Sequence, residues 1–221
     1  MSQAARPWLK ICGITREADA ELAVSLGADA IGLNFVGSSK RRIDETTARA
    51  IAARVRGRVE LIGVVANESH ERALALADSV GLDWLQLHGD EAPSELSLLP
   101  RAFKAIGIAD AADASRAAGY PGERLLVDTK AGGALGGSGQ RFDWSLVESL
   151  ASARRLILAG GLDAENVAEA IAQVRPWGVD VASGVEDRLD PRHKDPGRMA
   201  QFIREARRAA QLLADSATRD R

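Results

Sequence analysis

The stretch Trp8–Glu21, WLKICGITREADAE, contains a short apolar run, a glycine and then an acidic segment. The run Trp8–Cys12 is typical of a buried β-strand, Gly13 breaks it, and Thr15 is a residue type that caps helices. A similar segment, Gly161–Glu169, recurs far along the chain. Both segments are typical of a strand that passes directly into a helix, so the chain is predicted to contain βα units.

Eight apolar runs repeat along the chain, each followed by turn residues and an alanine- and leucine-rich helical pattern. They are Trp8–Cys12, Ala30–Phe35, Val59–Val65, Trp84–Leu87, Arg101–Ile106, Arg124–Val127, Leu156–Ala159 and Val179–Ala182. Three of them are entered through a glycine that suits the end of a helix, namely Gly27, Gly81 and Gly178. Eight βα units in 221 residues predict an α/β fold, a single (β/α)8 TIM barrel over residues 1–221. An open doubly wound sheet is the alternative.

The composition restricts the classes of partner. The net charge is −2, acidic and basic residues interleave, and aromatics make up only 4% of the chain, so neither nucleic acid nor a membrane surface is an expected partner. The first residues lack the apolar core of a signal peptide, and a single cysteine suits a reducing compartment, so we expect a cytoplasmic protein. The oligomeric state stays open between monomer and homodimer.

Three glycine-rich loops follow the last three predicted strands. TIM barrels often bind phosphate with the loops after strands seven and eight, where backbone N–H groups can approach an anion. The loop residues are Gly137, Ser138 and Gly139 after the sixth run, Gly160 and Gly161 after the seventh, and Ser183 and Gly184 after the eighth. Each loop alone is also consistent with ordinary turn chemistry. Together they predict a phosphosugar as the small-molecule partner.

Cys12 and Asp128 each end a predicted strand, and a barrel would bring them to the same end. A free cysteine is most often a small buried hydrophobe, and an acid after a strand can simply cap a turn. Burial would, however, raise the pKa of Asp128 and keep it protonated as a general acid. Cys12 could act as the base if a helix N-terminus lowered its pKa. An acid and a base near a phosphate site predict an isomerase.

Arg41 and His88 also follow predicted strands. Arg41 belongs to a basic cluster that could be only a solvated loop, but it could also hold a substrate carboxylate. His88 ends the fourth run. The three histidines, His70, His88 and His193, show no spacing of metal ligands, so no metal is expected.

The ordered set of motifs resembles the phosphoribosylanthranilate isomerase family of tryptophan biosynthesis. These motifs are Lys10–Thr15, Leu85–Gly89, Gly136–Gly139 with Phe142–Trp144, Ala159–Leu162, and Ser183–Glu186 with Lys194–Asp195. The resemblance implies a cofactor-free Amadori rearrangement with Cys12 as general base and Asp128 as general acid. It also implies that the glycine-rich loops hold the phosphate and that Arg41 lies near the anthranilate carboxylate.

Two positions depart from the family pattern. Arg42 stands where the family commonly has an aromatic residue, so Arg41 and Arg42 could exchange the carboxylate role, and Arg192 replaces a glycine in the last loop. Two further functions stay open: a barrel that binds a sugar phosphate without catalysis, and an isomerase that also accepts the aminoaldose of histidine biosynthesis. A ribulose-phosphate epimerase would need metal-binding histidines at strand ends, where only His88 lies. An indole-glycerol-phosphate synthase would need a catalytic lysine there, but Lys10 and Lys104 lie inside predicted strands.

Overall fold

The computed structural model describes residues 6–130 and 142–219. Its strands are β1 (Trp8–Cys12), β2 (Ala30–Asn34), β3 (Glu60–Val65), β4 (Trp84–Leu87), β5 (Ala102–Ile108), β6 (Arg124–Thr129), β7 (Arg155–Leu158) and β8 (Gly178–Val181). Its helices are α1 (Glu17–Ser25), α2 (Glu45–Val55), α3 (His70–Val80), α4 (Pro93–Leu96), α5 (Ala111–Ala118), α6 (Glu148–Ala153), α7 (Val167–Val174) and α8 (Pro196–Arg219). Short 3-10 turns, Trp144–Val147 and Ser183–Val185, precede α6 and follow β8.

Each strand pairs in parallel with the next, and β8 pairs with β1, so the sheet closes into a barrel. The predicted (β/α)8 fold is confirmed, and the open doubly wound sheet is excluded. The bounds of the strands differ from the predicted runs by at most two residues, the largest differences being at β5 and β6. Within the described residues, no helix combines the length and the apolar character that crossing a membrane requires.

Side chains along each strand alternate between two cores. Leu9 and Ile11 of β1 face the surrounding helices and belong to the large outer core. Trp8, in contrast, packs inside the barrel with Phe103 and Leu126. The period of two therefore places Lys10 and Cys12 inside the barrel, on the same side as Trp8.

An aromatic layer closes the barrel at the N-terminal end of the strands. The rings of Trp8 and Trp177 stack with their centroids 5.1 Å apart. The Arg124 guanidinium lies 4.2 Å from the centroid of Trp84 and forms ion pairs with Glu60 at 2.8 and 3.0 Å. We call Trp8, Trp84, Trp177 and Arg124 the lower layer. The candidate active site therefore lies at the opposite end of the barrel, where β1 and β6 end.

Two local predictions were wrong because tertiary contacts overrode local preference. Arg16, not Thr15, is the N-cap of α1, and the Thr15 hydroxyl donates instead to the carbonyl of Arg192. Gly178 lies inside β8, and Arg175 takes the left-handed conformation at the end of α7 with a φ of 50°. Gly27 and Gly81 do have the positive φ that was expected at helix ends.

Candidate active site

Cys12 ends β1 with its thiol inside the barrel. Gly32 of β2 lies beside it in register, and a Cβ added to Gly32 would lie 2.7 Å from Cys12 Sγ. The missing side chain at Gly32 therefore provides the space that the thiol occupies. Burial raises the pKa of Cys12 above its ordinary value, and the Lys10 ammonium offsets part of that increase.

Asp128 lies near the end of β6, where its carboxyl group faces the loop after β7. Burial, and secondarily the Asp180 carboxylate, raise the pKa of Asp128 to about 6, although a 2.7 Å hydrogen bond from Thr129 N favours the ionised form. Near neutral pH roughly a tenth of the molecules therefore carry the acid form before substrate binds. The environment is the one that a general acid needs.

Lys10 and Asp180 form a buried ion pair below these two groups, and the sequence reasoning assigned neither of them a role. They are register neighbours on β1 and β8, and Lys10 Nζ lies 3.0 Å from Asp180 Oδ1. Burial alone would lower the pKa of Lys10, but the charges of Asp180 and Cys12 outweigh it and the pKa is raised. Lys10 is therefore a cation. The signal was available, because Lys10 precedes Cys12 by two residues and so shares its face.

Arg41 is buried in the loop after β2, whereas Arg42 is exposed. Arg41 Nε donates to Glu186 Oε1, and the same carboxylate lies 3.3 Å from Lys40 Nζ. Arg41 Nη2 is buried and has no hydrogen-bond partner within the described residues. A guanidinium that is held by one edge and unpaired at another is suited to bind a carboxylate.

The loops after β7 and β8 touch each other. Gly160 and Gly161 have φ values of 88° and 63°, which only glycine adopts readily. A Cβ on Gly184 would overlap the Leu162 carbonyl, so the two backbones are in close contact. Ser183 and Gly184 lie in the 3-10 turn that begins there. The third predicted loop, Gly137, Ser138 and Gly139, lies outside the described residues.

Lys194 supports the loop after β8 from beneath. Its buried ammonium donates to the Ala182 carbonyl at 2.9 Å and lies 3.7 Å from Glu186 Oε1. Burial lowers the pKa of Lys194 to about 8, so it too is mostly a cation at neutral pH. Its backbone N–H donates to Asp19 of α1 at 3.0 Å, which ties this loop to the first βα unit.

His88 follows β4 and is neutral. Burial, and secondarily the charge of Lys104, lower the pKa of His88 to about 4. Lys104 Nζ donates to the carbonyls of Leu87 and Gly89 at 3.2 and 2.6 Å and to Glu91 at 2.7 Å. The buried lysine thereby fixes the loop that carries His88. No cluster of three or more potential metal ligands occurs in residues 6–130 or 142–219.

Comparisons with known proteins identify the family of this chain. The model of the family "N-(5'phosphoribosyl)anthranilate (PRA) isomerase" matches residues 9–205. The chain belongs to this family. The phosphoribosylanthranilate isomerase of Desulforudis audaxviator is 45% identical over 204 residues, which cover 91% of this chain and 98% of that protein. Members of this family isomerise phosphoribosylanthranilate in tryptophan biosynthesis, and the chain is an isomerase of this kind.

Solved phosphoribosylanthranilate isomerases have the same fold. One, in complex with reduced 1-(o-carboxyphenylamino)-1-deoxyribulose 5-phosphate, is 38% identical with a TM-score of 0.81 and covers 90% of this chain and 98% of its own. Another, described as mutually generated monomers of the dimeric Thermotoga maritima enzyme, is 39% identical with a TM-score of 0.80 and the same coverage. The resemblance stated from the motifs is therefore confirmed.

Proposed function

We propose that this isomerase performs an Amadori rearrangement with Cys12 as the general base and Asp128 as the general acid. The observation that carries the proposal is the pairing of two buried groups at the same end of the barrel. One is an aspartate with a pKa of about 6, and the other is a thiol with a neighbouring ammonium. Two titratable groups of different ordinary pKa that lie at the same end of the barrel are suited to opposite proton transfers.

The reaction is proposed to proceed by two proton transfers. Asp128 donates a proton to the furanose ring oxygen, the bond from C1′ to that oxygen breaks, and the anilino nitrogen supplies the electrons to form a Schiff base. Cys12 then takes the proton from C2′, and the enolamine that results tautomerises to the ketone as C1′ gains a proton and the C2′ hydroxyl loses one. One proton leaves Asp128 and one is taken by Cys12, so the reaction needs no oxidant, reductant or metal.

The two anionic ends of the substrate are proposed to bind at different loops. Arg41, through its unpaired Nη2, is placed to hold the anthranilate carboxylate. The phosphate is assigned to Gly160, Gly161, Ser183 and Gly184, with Gly137, Ser138 and Gly139 as further phosphate ligands. Neutral His88 can donate one hydrogen bond to the sugar or accept one from it. The reduced product analogue bound by a relative contains both a carboxylate and a phosphate.

The remaining expectations are part of the same proposal. We infer that residues 1–221 act as a single barrel domain in the cytoplasm, without a metal or an organic cofactor. The partner is a phosphosugar rather than nucleic acid or a membrane. The chain functions as a monomer or a homodimer, and the Thermotoga maritima relative is described as dimeric. The alternative is an isomerase that also accepts the aminoaldose of histidine biosynthesis, a compound that undergoes the same rearrangement.

An activity assay tests the function. Phosphoribosylanthranilate generated in situ is expected to be consumed, with loss of its anthranilate-type fluorescence, in the presence of a chelator and without nucleotide. Dependence on a divalent ion would contradict the metal-free mechanism. The histidine-pathway aminoaldose is assayed in parallel, and turnover of it alone would contradict the assigned substrate. A protein that binds the reduced product analogue but turns over neither compound would be a binding barrel.

A further inference from the structure

Lys10 and Asp180 lie in the barrel interior beneath the proposed acid and base. Lys10 is fully buried, and its Nζ lies 3.0 Å from Asp180 Oδ1. An ion pair in this position is expensive to desolvate, and apolar side chains of similar volume would fill the same space. Stability alone therefore does not account for it.

The ammonium of Lys10 lies next to the thiol of Cys12. Both side chains pass over Gly32: a Cβ there would lie 3.1 Å from Lys10 Cε and 2.7 Å from Cys12 Sγ. The two groups favour each other's charged forms, since Lys10 lowers the pKa of Cys12 and Cys12 raises that of Lys10. A single ammonium thus lies beside two groups that can carry negative charge, the Asp180 carboxylate and the sulfur.

The net charge buried around the site bears on the ionisation of Cys12. The cations are Lys10, Arg41 and Lys194, and the carboxylates are Asp180 and Glu186. These five charges sum to one positive charge, which an ionised Asp128 cancels and a protonated Asp128 leaves in place. In the form with Asp128 protonated, which the proposed reaction requires, ionisation of Cys12 would neutralise the set, and Lys10 and Lys194 both favour the thiolate electrostatically.

We propose that Lys10 and Asp180 are positioning residues for the isomerisation, with Lys10 stabilising the Cys12 thiolate that abstracts the C2′ proton and Asp180 holding Lys10 and moderating its effect. The inference rests on the proposed function, in which Cys12 is the base. It predicts that the two members of one ion pair act on the thiol with opposite signs. Loss of the lysine disfavours the thiolate, and loss of the aspartate favours it.

The test measures the ionisation of Cys12 directly. Cys12 is the only cysteine, so ultraviolet absorbance of the thiolate against pH reports this group alone. A matched Cys12→Ser blank for each variant subtracts tyrosine ionisation. Lys10→Met is expected to raise the thiol pKa by about one unit or more, and Asp180→Asn is expected to lower it. Shifts of the same sign in both variants, or no shift in either, would overturn the proposal.

Two further variants control for damage to the fold. Lys10→Met/Asp180→Asn removes both charges, leaves no unpaired ion in the interior, and is expected to raise the thiol pKa by less than Lys10→Met. It replaces Lys10→Met if that variant does not fold. Lys104→Met removes another buried lysine whose partner is Glu91, and the thiol titration is expected to be unchanged. A similar rise in Lys104→Met would assign the effect to general disruption and overturn the proposal.

Kinetics give a second measurement. In Lys10→Met, kcat near neutral pH is expected to fall by about ten-fold or more with little change in KM, and to recover as the pH rises. The titratable groups that face Cys12 and Lys10 are Asp180, Asp128, Lys194 and the neutral His88. A loss of kcat that is equal at every pH would contradict the proposal. The thiol titration needs no substrate, so its result stands apart from whether Cys12 is the base.

Discussion

The side chain of Arg41 lies directly over Gly13, so closely that a Cβ on Gly13 would overlap Arg41 Cδ. Gly13 also has a φ of 73°, which disfavours any other residue. The turn that ends β1 therefore presents the thiol of Cys12 and at the same time makes room for the Arg41 stem. The proposed base and the proposed carboxylate-binding cation are thus packed on either side of this glycine.

Arg41→Ala is expected to raise KM by roughly ten-fold or more with a smaller effect on kcat, because it removes a charge-assisted bond to a part of the substrate that does not react. Arg42→Ala is the matched control, since Arg42 is the adjacent exposed arginine. Steady-state kinetics of both variants check this. A raised KM in Arg42→Ala with a normal KM in Arg41→Ala would reverse the assignment.

Asp128→Asn and Cys12→Ser are each expected to lower kcat by about two to four orders of magnitude while changing KM little. In the proposed mechanism both groups move a proton in the transition state, and neither replacement can do so at a comparable rate. Single-turnover rates with substrate formed in situ separate chemistry from product release. Near-normal kcat in Asp128→Asn would remove Asp128 from the role of acid.

Asp128→Asn is also expected to stabilise the fold above pH 6. The pKa of Asp128 is about 6 in the folded state and 3.8 in the reference state, so the folded form binds more protons between these values and loses stability as the pH rises. The loss saturates above pH 6 at about 2–3 kcal/mol, and it is absent below pH 3.8. Urea unfolding of the wild-type protein and of Asp128→Asn from pH 4 to pH 8 measures this loss of stability. A constant difference across that range would contradict the raised pKa.

Gly160→Ala is expected to reduce both stability and kcat. The residue has a φ of 88°, and a Cβ there would overlap Thr129 N and lie 2.9 Å from Asp128 Oδ1. The backbone beside the proposed acid would have to move. Gly27→Ala is the matched control, with a φ of 87° and no neighbour within 4 Å. Equal kcat in the two variants would show that crowding of Asp128 has no effect on the reaction.

The barrel and its active end were predictable because both follow from repetition. Each apolar run followed by a helical pattern gives one βα unit, and parallel strands end at the same edge, which is why Cys12 and Asp128 could be placed together. Glu186 was quoted in a motif but given no role, because its partner Arg41 is 145 residues away. Lys10 could not be predicted from strand ends, because it lies inside β1 and its partner Asp180 is on β8.

The lower layer has a kinetic consequence. Trp8, Trp177 and Arg124 fill the barrel axis at the N-terminal ends of the strands, with Trp84 beside them. Substrate must therefore arrive, and product must depart, through the same opening at the other end of the barrel. The two molecules cannot pass each other inside the protein, so the product acts as a competitive inhibitor and must diffuse away before the next turnover begins.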